Sequence, residues 1–147
     1  MPYLRITSPS VDEAKRRLIA EDLTAATVDL FFSPRCGPTR DELREHTTVH
    51  FSPYAEGEIF IGGRTPNERG VADVTVELSD WSMSVRKQRT VARRLTPVLG
   101  ELFGIAPEHY DNINIRFHSY PPADFAVGGR LLSELVPRIG RWMKRLS

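Results

Sequence analysis

Pro2 follows Met1 directly and begins an alternating apolar and polar segment that runs to Thr7. Removal of Met1 would leave Pro2 with a secondary amine in place of an amide nitrogen. An amine buried among apolar side chains loses its proton near neutral pH, so Pro2 would be able to act as a general base. The alternative is a proline that begins the chain and does no chemistry.

Other residues that often do chemistry lack the pattern of a known site. His46, His109 and Cys36 do not have the spacing of metal ligands, and no CxxC, HExxH or P-loop motif occurs. We therefore expect neither a metal nor another cofactor. The single cysteine also excludes an internal disulfide.

Composition restricts the class of protein. The 147 residues carry a net charge of +1, so no overall field favours nucleic acid or an anionic membrane as a partner. The sequence has no apolar run of membrane-spanning length and no signal peptide. We expect one domain over residues 1–147, located in the cytoplasm.

The chain repeats itself. Gly-Gly-Arg occurs at Gly62 to Arg64 and again at Gly128 to Arg130, 66 positions later. Each triplet follows the same series of patterns, in which period-two alternation predicts strands and an apolar stripe at helical spacing predicts a helix. The repeats span residues 2–64 and 71–130. The predicted elements in order are strand 3–7, helix 12–31, strand 47–51, strand 71–78, helix 84–103 and strand 113–117.

Local signals refine these elements. Ser10 and either Ser82 or Ser84 are predicted N-caps, and Pro97 predicts a kink in the second helix. The first repeat has six additional residues between helix and strand. They fall within residues 32–44, which form either a surface insertion or a lid over a site.

Two short β-α-β units predict an α/β fold, called α+β in some schemes. The strands of each unit are parallel, and together they make a four-stranded mixed sheet with both helices on one face. The other face is bare and, on our interpretation, too apolar in places to remain in water. Association of subunits through this face is expected.

These features together resemble the tautomerase superfamily. They are the start at Pro2, the repeated β-α-β unit and the terminal Gly-Gly hairpins, and they cover residues 2–130. Each half is similar to 4-oxalocrotonate tautomerase. The fused pair is similar to macrophage migration inhibitory factor, malonate semialdehyde decarboxylase and cis-3-chloroacrylic acid dehalogenase. The resemblance implies a tautomerase fold and a homotrimer with active sites at the N-termini.

The resemblance implies a reaction on a small substrate with a carboxylate and a carbonyl group. Neutral Pro2 would act as the base in keto-enol isomerisation of a 2-oxo acid. Protonated Pro2 would instead act as an acid in hydration, dehalogenation or decarboxylation of an unsaturated or 3-oxo acid. The loops 8–11 and 79–83 lack the arginine that often binds the carboxylate in relatives, which favours a third alternative, a catalytically silent trimeric binding protein.

Asn114 and Arg116 lie where relatives place residues that touch the substrate. Alternation puts both, with His118, on the strand face that points away from the helices. Arg116 would bind a carboxylate or polarise a carbonyl oxygen. The predicted catalytic residues are thus Pro2, Asn114 and Arg116. A subunit-interface ion pair is the alternative.

Six further residues are candidates for the substrate-binding site, each with a structural alternative. Phe125 matches a pocket-lining aromatic of 4-oxalocrotonate tautomerase or is a core residue of the hairpin. Tyr120 would donate a hydrogen bond to an enolate or only packs against its neighbours. Trp81 lines the pocket or plugs the core. Arg64 and Arg69 replace the missing loop arginine or are solvated, and His50 is an acid or base or an interface histidine.

The last segment, residues 131–147, predicts an amphipathic helix with a basic face, weakened by Pro137 and Gly140. A basic helix of this kind docks on a neighbouring subunit or lies on a membrane surface. We favour docking on a subunit.

Overall fold

The predicted order of elements is present in the structure, a computed structural model that describes residues 1–136 and 144. The strands are β1 (Tyr3–Pro9), β2 (Thr48–Tyr54), β3 (Val74–Trp81), β4 (Ile113–Tyr120), β5 (Ala126–Val127) and β6 (Arg130–Leu131). The helices are α1 (Glu13–Phe31), α2 (Arg40–Glu45), α3 (Pro66–Arg69), α4 (Val85–Phe103) and α5 (Leu132–Leu135). Pro107–Asn112 and Pro122–Asp124 are 3₁₀ turns.

Four strands form the predicted mixed sheet, in the order β2-β1-β3-β4. The strands within each β-α-β unit are parallel, and the two units meet where β1 runs antiparallel to β3. Tyr3 lies opposite Ser79 in this pairing. Continuing the register places Pro2 opposite Asp80 at one end of the strands and Pro9 opposite Asp73 at the other.

Both long helices cover the same face of the sheet. The inward side chains of β1 and β3 form one cluster with the apolar stripes of α1 and α4, and the most deeply buried members are Leu4, Ile6, Ile19, Leu23, Val74, Val76, Leu78, Val91, Leu95 and Leu99. Each fully buried aliphatic side chain contributes about 1.5–3 kcal/mol to folding. This core holds the ends of β1 and β3 in a fixed relation.

The N-cap of α1 differs from the predicted residue, whereas the N-cap of α4 is one of the two predicted residues. The side chain of Asp12 accepts a hydrogen bond from the backbone N–H of Lys15 at 2.7 Å, so Asp12 and not Ser10 caps α1. Ser84 caps α4 as predicted, with 3.1 Å between its Oγ and the backbone nitrogen of Lys87. The predicted kink at Pro97 does not divide α4, which continues as one helix to Phe103.

The repeated glycine pairs make the same turn. Gly62 and Gly63 have φ of 59° and 77°, and Gly128 and Gly129 have φ of 57° and 81°. Positive φ at both central residues is the type I′ hairpin conformation, which disfavours any residue with a Cβ. The sequence repeat thus marks two turns of the same geometry.

The sheet face opposite the helices carries many polar side chains, with Tyr3 also exposed on it, so the expectation of apolar patches there stays a prediction. Glu77 lies 3.9 Å from Arg5 Nε and 3.5 Å from His118 Nε2, and the Tyr3 hydroxyl lies 2.6 Å from His50 Nδ1. Polar positions alternate with the core positions on all four strands. Ion pairs and hydrogen bonds between side chains therefore make up much of this face within one chain.

Most of the predicted C-terminal helix, residues 137–143 and 145–147, lies outside the described residues. Among the described residues, no helix has the length and apolar character needed to cross a membrane, and no group of His, Cys, Asp and Glu could hold a metal ion.

Candidate active site

A cavity of about 500 Å³ opens where β1 begins and β3 ends. Apolar side chains from both halves of the chain make most of its wall, among them Phe31, Pro38, Leu43, Trp81, Leu132 and Leu135. Its charged groups are few. Among the residues that the structure describes, they are the α-amine of Met1 and the side chains of Glu42, Asp80, Lys87 and Lys144.

The N-terminus lies inside this cavity. Pro2 is buried, and its carbonyl accepts a hydrogen bond from the backbone N–H of Thr48 at 3.0 Å, which fixes the start of β1. The α-amine of Met1 lies 2.6 Å from Asp80 Oδ1. Burial lowers the pKa of this amine, and the charge of Asp80 opposes that effect. The cavity therefore favours a less basic amine than a solvated terminus.

Asp80 contacts both the N-terminal amine and the side chain of Lys144. Its side chain is 1% exposed, and Oδ2 lies 2.5 Å from Lys144 Nζ. The same Nζ lies 4.1 Å from the centre of the Trp81 ring, in the position of a cation–π contact. Burial lowers the pKa of Lys144, and Asp80 opposes the effect. The buried carboxylate thus contacts two cations, one through each oxygen.

Lys87 brings a further cation from the first turn of α4. Its Nζ donates to the Leu30 carbonyl at 2.7 Å and lies 5.4 Å from the Phe31 ring. Burial lowers the pKa of Lys87, an effect that Asp80 opposes. An ammonium group has three N–H donors, so two remain after the bond to Leu30. They are able to bind an anion in the cavity.

The insertion in the first repeat forms one wall of the cavity. Ser33, Cys36, Gly37 and Pro38 line it from the loop, and α2 adds further lining residues. Two contacts hold this wall in place. The guanidinium of Arg40 lies 2.6 Å from Asp29 on α1 and 4.5 Å from the centre of the Phe32 ring. The insertion therefore belongs to the site.

Four of the sequence-predicted residues lie at or next to this cavity. Pro2 and Trp81 line it. Tyr120 pairs with Trp81 across β3 and β4, and its ring centre lies 5.6 Å from that of Phe125. Burial, and then the charge of Asp80, raise the pKa of Tyr120 to about 12, so its hydroxyl keeps its proton and can donate a hydrogen bond.

Arg116, Asn114 and His50 lie on the polar sheet face, away from the cavity. Arg116 is level with Glu77, three residues along β3 from Asp80, and Asn114 is level with Thr75. At about 3.3 Å per residue these rows are roughly 10 and 17 Å from Pro2 along the strands. Within one chain the structure does not bring these residues together with Pro2.

Arg64 and Arg69 lie in the connection between the repeats. Arg64 is exposed in the first hairpin, and Arg69 Nη1 donates to the Ile61 carbonyl at 3.5 Å. Burial raises the pKa of Asp73, and Arg69 opposes this effect. Asp73 precedes the start of β3, whereas Pro2 lies level with its end. Neither arginine reaches Pro2 in its own chain.

Sequence reasoning missed three charged residues of the cavity, namely Asp80, Lys87 and Lys144. The sequence did contain a signal for two of them. Asp80 continues the inward alternation of Val76 and Leu78, and Lys87 is four residues before Val91 on the buried stripe of α4. A charge at an inward position is costly unless it is paired or used.

The arrangement combines the N-terminal amine, two carboxylates and two ammonium groups in a largely apolar cavity. Low dielectric strengthens each electrostatic interaction there. Such a site can bind a small anion through its cations and move a proton at the amine.

No protein-family model matches the sequence, and no curated protein matches it. Solved structures do match the fold. Pt0534 inactivated by 2-oxo-3-pentynoate is similar with a TM-score of 0.72 and 15% identity, over 90% of this chain and 98% of that one. A wild-type asymmetric trimer named R7 fused 4-OT has a TM-score of 0.72 and 16% identity, with the same coverage of 90% and 98%.

A third similar structure is N1, a member of the cis-3-chloroacrylic acid dehalogenase family. Its TM-score is 0.67 with 18% identity, over 99% of each chain. Identities this low show the fold alone. The chain therefore has the fold of the tautomerase superfamily, as the sequence resemblance implied.

Proposed function

We propose that this chain is a cofactor-independent tautomerase that interconverts the keto and enol forms of a small 2-oxo acid. Pro2, as the terminal residue after removal of Met1, is the general base. It takes a proton from the carbon next to the carbonyl group and, now protonated, returns this proton to the carbonyl oxygen, which gives the enol and restores the neutral amine. In the reverse direction the same amine delivers the proton to carbon.

One observation carries this proposal. The amino terminus lies within a mainly apolar cavity, where burial lowers the pKa of the amine. A base works best when its pKa is near the working pH. Removal of Met1 would also vacate the space that this residue occupies beside Pro2, and a substrate would then fit against the proline nitrogen.

Lys87 binds the substrate carboxylate in this proposal, in the role that a loop arginine has in relatives. It lies in the cavity wall with two N–H donors beyond the one bound to Leu30. Trp81 and Phe31 contribute apolar contacts to the rest of the substrate. Tyr120 donates to the enolate oxygen from the neighbouring strand.

A homotrimer is part of the proposal, and the trimeric fused 4-OT structure supports it. Arg116 and Asn114 lie on the polar face that would meet another copy. In a trimer they would contribute to the site of a neighbouring subunit. Arg64, Arg69 and His50 are candidates for the same role.

Replacement of Pro2 by alanine tests the function. We expect kcat/KM for ketonisation of phenylpyruvate to fall by at least about 100-fold, the usual minimum contribution of a general base. Intact mass of protein from its native source should show Pro2 as the first residue. Unchanged activity in Pro2→Ala, or a native mass that includes Met1, would refute the proposal.

A covalent probe provides a second test. Pt0534 was inactivated by 2-oxo-3-pentynoate. If Pro2 has a nucleophilic amine, this compound should add one equivalent of mass to the protein, located on the N-terminal peptide. Pro2→Ala replaces the secondary amine of the proline ring by a primary amine and should react more slowly. Labelling elsewhere in the chain would count against Pro2.

Decarboxylation or hydration is a second candidate function, because Asp80 lies next to the amine and favours its protonated form. Protonated Pro2 would then act as the acid. Malonate semialdehyde breakdown and phenylpyruvate ketonisation, measured side by side, separate the two reactions. Turnover of malonate semialdehyde without ketonisation would favour the second candidate.

A further inference from the structure

Asp80 is the most deeply buried charged group at the cavity. Its side chain is 1% exposed, yet both carboxylate oxygens contact a cation, Oδ1 the Met1 amine at 2.6 Å and Oδ2 Lys144 Nζ at 2.5 Å. A buried carboxylate costs several kcal/mol of desolvation unless its partners compensate. An apolar residue would complete the inward row of β3 without that cost. Asp80 therefore needs a functional explanation.

The sheet register makes Pro2 and Asp80 cross-strand neighbours. Tyr3 pairs with Ser79, so Pro2 and Asp80 are the next pair along, and both side chains lie on the helix-covered face. Directly opposite residues have Cβ atoms about 4.5–5.5 Å apart. Core residues Leu4 and Leu78 fix the register one pair further along this face. The position of Asp80 beside the proline ring is thus a property of the fold.

The contact of Asp80 with the terminal nitrogen defines a distance for the mature amine. The nitrogen of Met1 is three covalent bonds from that of Pro2, a span of at most about 3.8 Å. After removal of Met1, the Pro2 amine would lie within roughly 6 Å of Asp80 Oδ1, given the present contact of 2.6 Å. A carboxylate at about 4–6 Å favours the charged form of an amine.

We propose that Asp80 is a positioning residue that holds the proton on the Pro2 amine and thereby sets the pH at which this amine acts as a base. The inference rests on the proposed function and deepens it. Burial of the Pro2 amine favours its neutral form, whereas the negative charge of Asp80 favours its protonated form. The balance of these two effects decides how much neutral amine is present at a given pH. Lys144 counteracts Asp80, because its ammonium group occupies the second carboxylate oxygen.

Other ionisable groups face Asp80 from several elements. The N-terminus, α4, β4 and the C-terminal segment contribute the Met1 amine, Lys87, Tyr120 and Lys144, and each of them interacts with the charge of Asp80. The insertion adds Cys36, Glu42 and His46 to the cavity wall. None of these is a carboxylate in contact with the amine, since Glu42 caps α2 through Thr39.

Direct titration of the Pro2 amine tests the inference without a substrate. Protein labelled with ¹⁵N-proline, with Pro2 shown by intact mass to be the first residue, is titrated by NMR. In Asp80→Asn the midpoint of the Pro2 ¹⁵N signal should fall by about one to three pH units relative to wild type. Asp22→Asn, on the exposed surface of α1, is the matched control and should leave the midpoint unchanged.

Lys144→Met provides a test that does not remove the buried carboxylate. Loss of a nearby cation should raise the midpoint, because Asp80 is then available to the proline amine alone. In an active enzyme, the acid limb of kcat/KM should move with the NMR midpoint in both variants. An unchanged Pro2 midpoint in Asp80→Asn, or a lower midpoint in Lys144→Met, would overturn the inference.

The two proposals fail separately. If Asp80→Asn shifts the Pro2 midpoint but Pro2→Ala keeps full activity, the proposed function is wrong and the role of Asp80 stands. If Pro2→Ala is inactive but the midpoint of the Pro2 titration is the same in Asp80→Asn as in wild type, the proposed function stands and the role of Asp80 is wrong.

Discussion

Substitution of Lys87 by methionine examines how the cavity binds its substrate. Methionine keeps an unbranched side chain of similar length but removes the charge. We expect kcat/KM for a 2-oxo acid to fall, mainly through a higher KM, because the carboxylate is bound in the ground state and the transition state alike. Lys87 faces the cavity from α4, where burial already lowers its pKa.

The magnitude follows from the donors of Lys87. One N–H is bound to the Leu30 carbonyl at 2.7 Å, so the substrate can receive one or two of the others. A hydrogen bond to a charged group contributes about 1.5–3 kcal/mol, which corresponds to a loss of about 10- to 150-fold in kcat/KM. Lys144 is a second cation in the same cavity, so we expect the lower half of this range.

The assay is ketonisation of phenylpyruvate compared with that of its uncharged amide. Lys87→Met should lose activity on the acid and keep it on the amide. Lys87→Arg retains the charge and should lose less, and Lys15→Met on α1 is a matched control outside the cavity. Equal losses on acid and amide would show that the substitution only disturbs α1 at Leu30. Full activity on the acid would refute carboxylate binding by Lys87.

Two further predictions concern stability. Burial raises the pKa of Asp73 in the folded chain above its unfolded value, although Arg69 opposes this. The folded chain therefore binds a proton at Asp73 more tightly than the unfolded chain, and stability falls as pH rises from the unfolded pKa through the folded pKa of this group. Asp73→Asn should raise Tm at pH 7, and the gain should disappear in acid. A gain that does not depend on pH would contradict this. A Cβ on Gly100 would lie 2.5 Å from Tyr110 Cε1, so Gly100→Ala should cost about 1–3 kcal/mol in urea unfolding, partly recovered by Tyr110→Leu; no loss would show that the helix accommodates the methyl group.

The repeat made most of the fold predictable. Alternation in β1 and β3 and the stripe on α4 reflect burial on one face, which is a local property of the sequence. The Gly-Gly turns require positive φ, which few other residues adopt. The N-cap of α1 was less predictable, because serine and aspartate are both common N-caps and the local sequence does not decide between Ser10 and Asp12.

The candidate site was less predictable than the fold. Pro2 was identified from its place at the start of the chain, and Trp81 from its loop. Lys87 and Asp80 were missed because their inward positions looked like exceptions to apolar patterns, and Lys144 because it is 64 residues from Asp80 in sequence. Contacts of this length depend on tertiary packing.

The antiparallel pairing of β1 and β3 relates the two ends of the sheet by a local twofold axis through the Arg5–Glu77 pair, under which Val74 corresponds to Pro2 and Ser8 to Asp80. A polypeptide has a single amino terminus, whereas this fold offers two equivalent places for one. The nitrogen of Val74 is an internal amide, because the chain continues before it through Asp73, whose N–H donates to the Tyr54 hydroxyl at 3.2 Å. Joining two units in one chain therefore leaves one terminal amine for two equivalent positions in the sheet, and the position of Val74 holds an internal amide that cannot act as a base in the way proposed for Pro2.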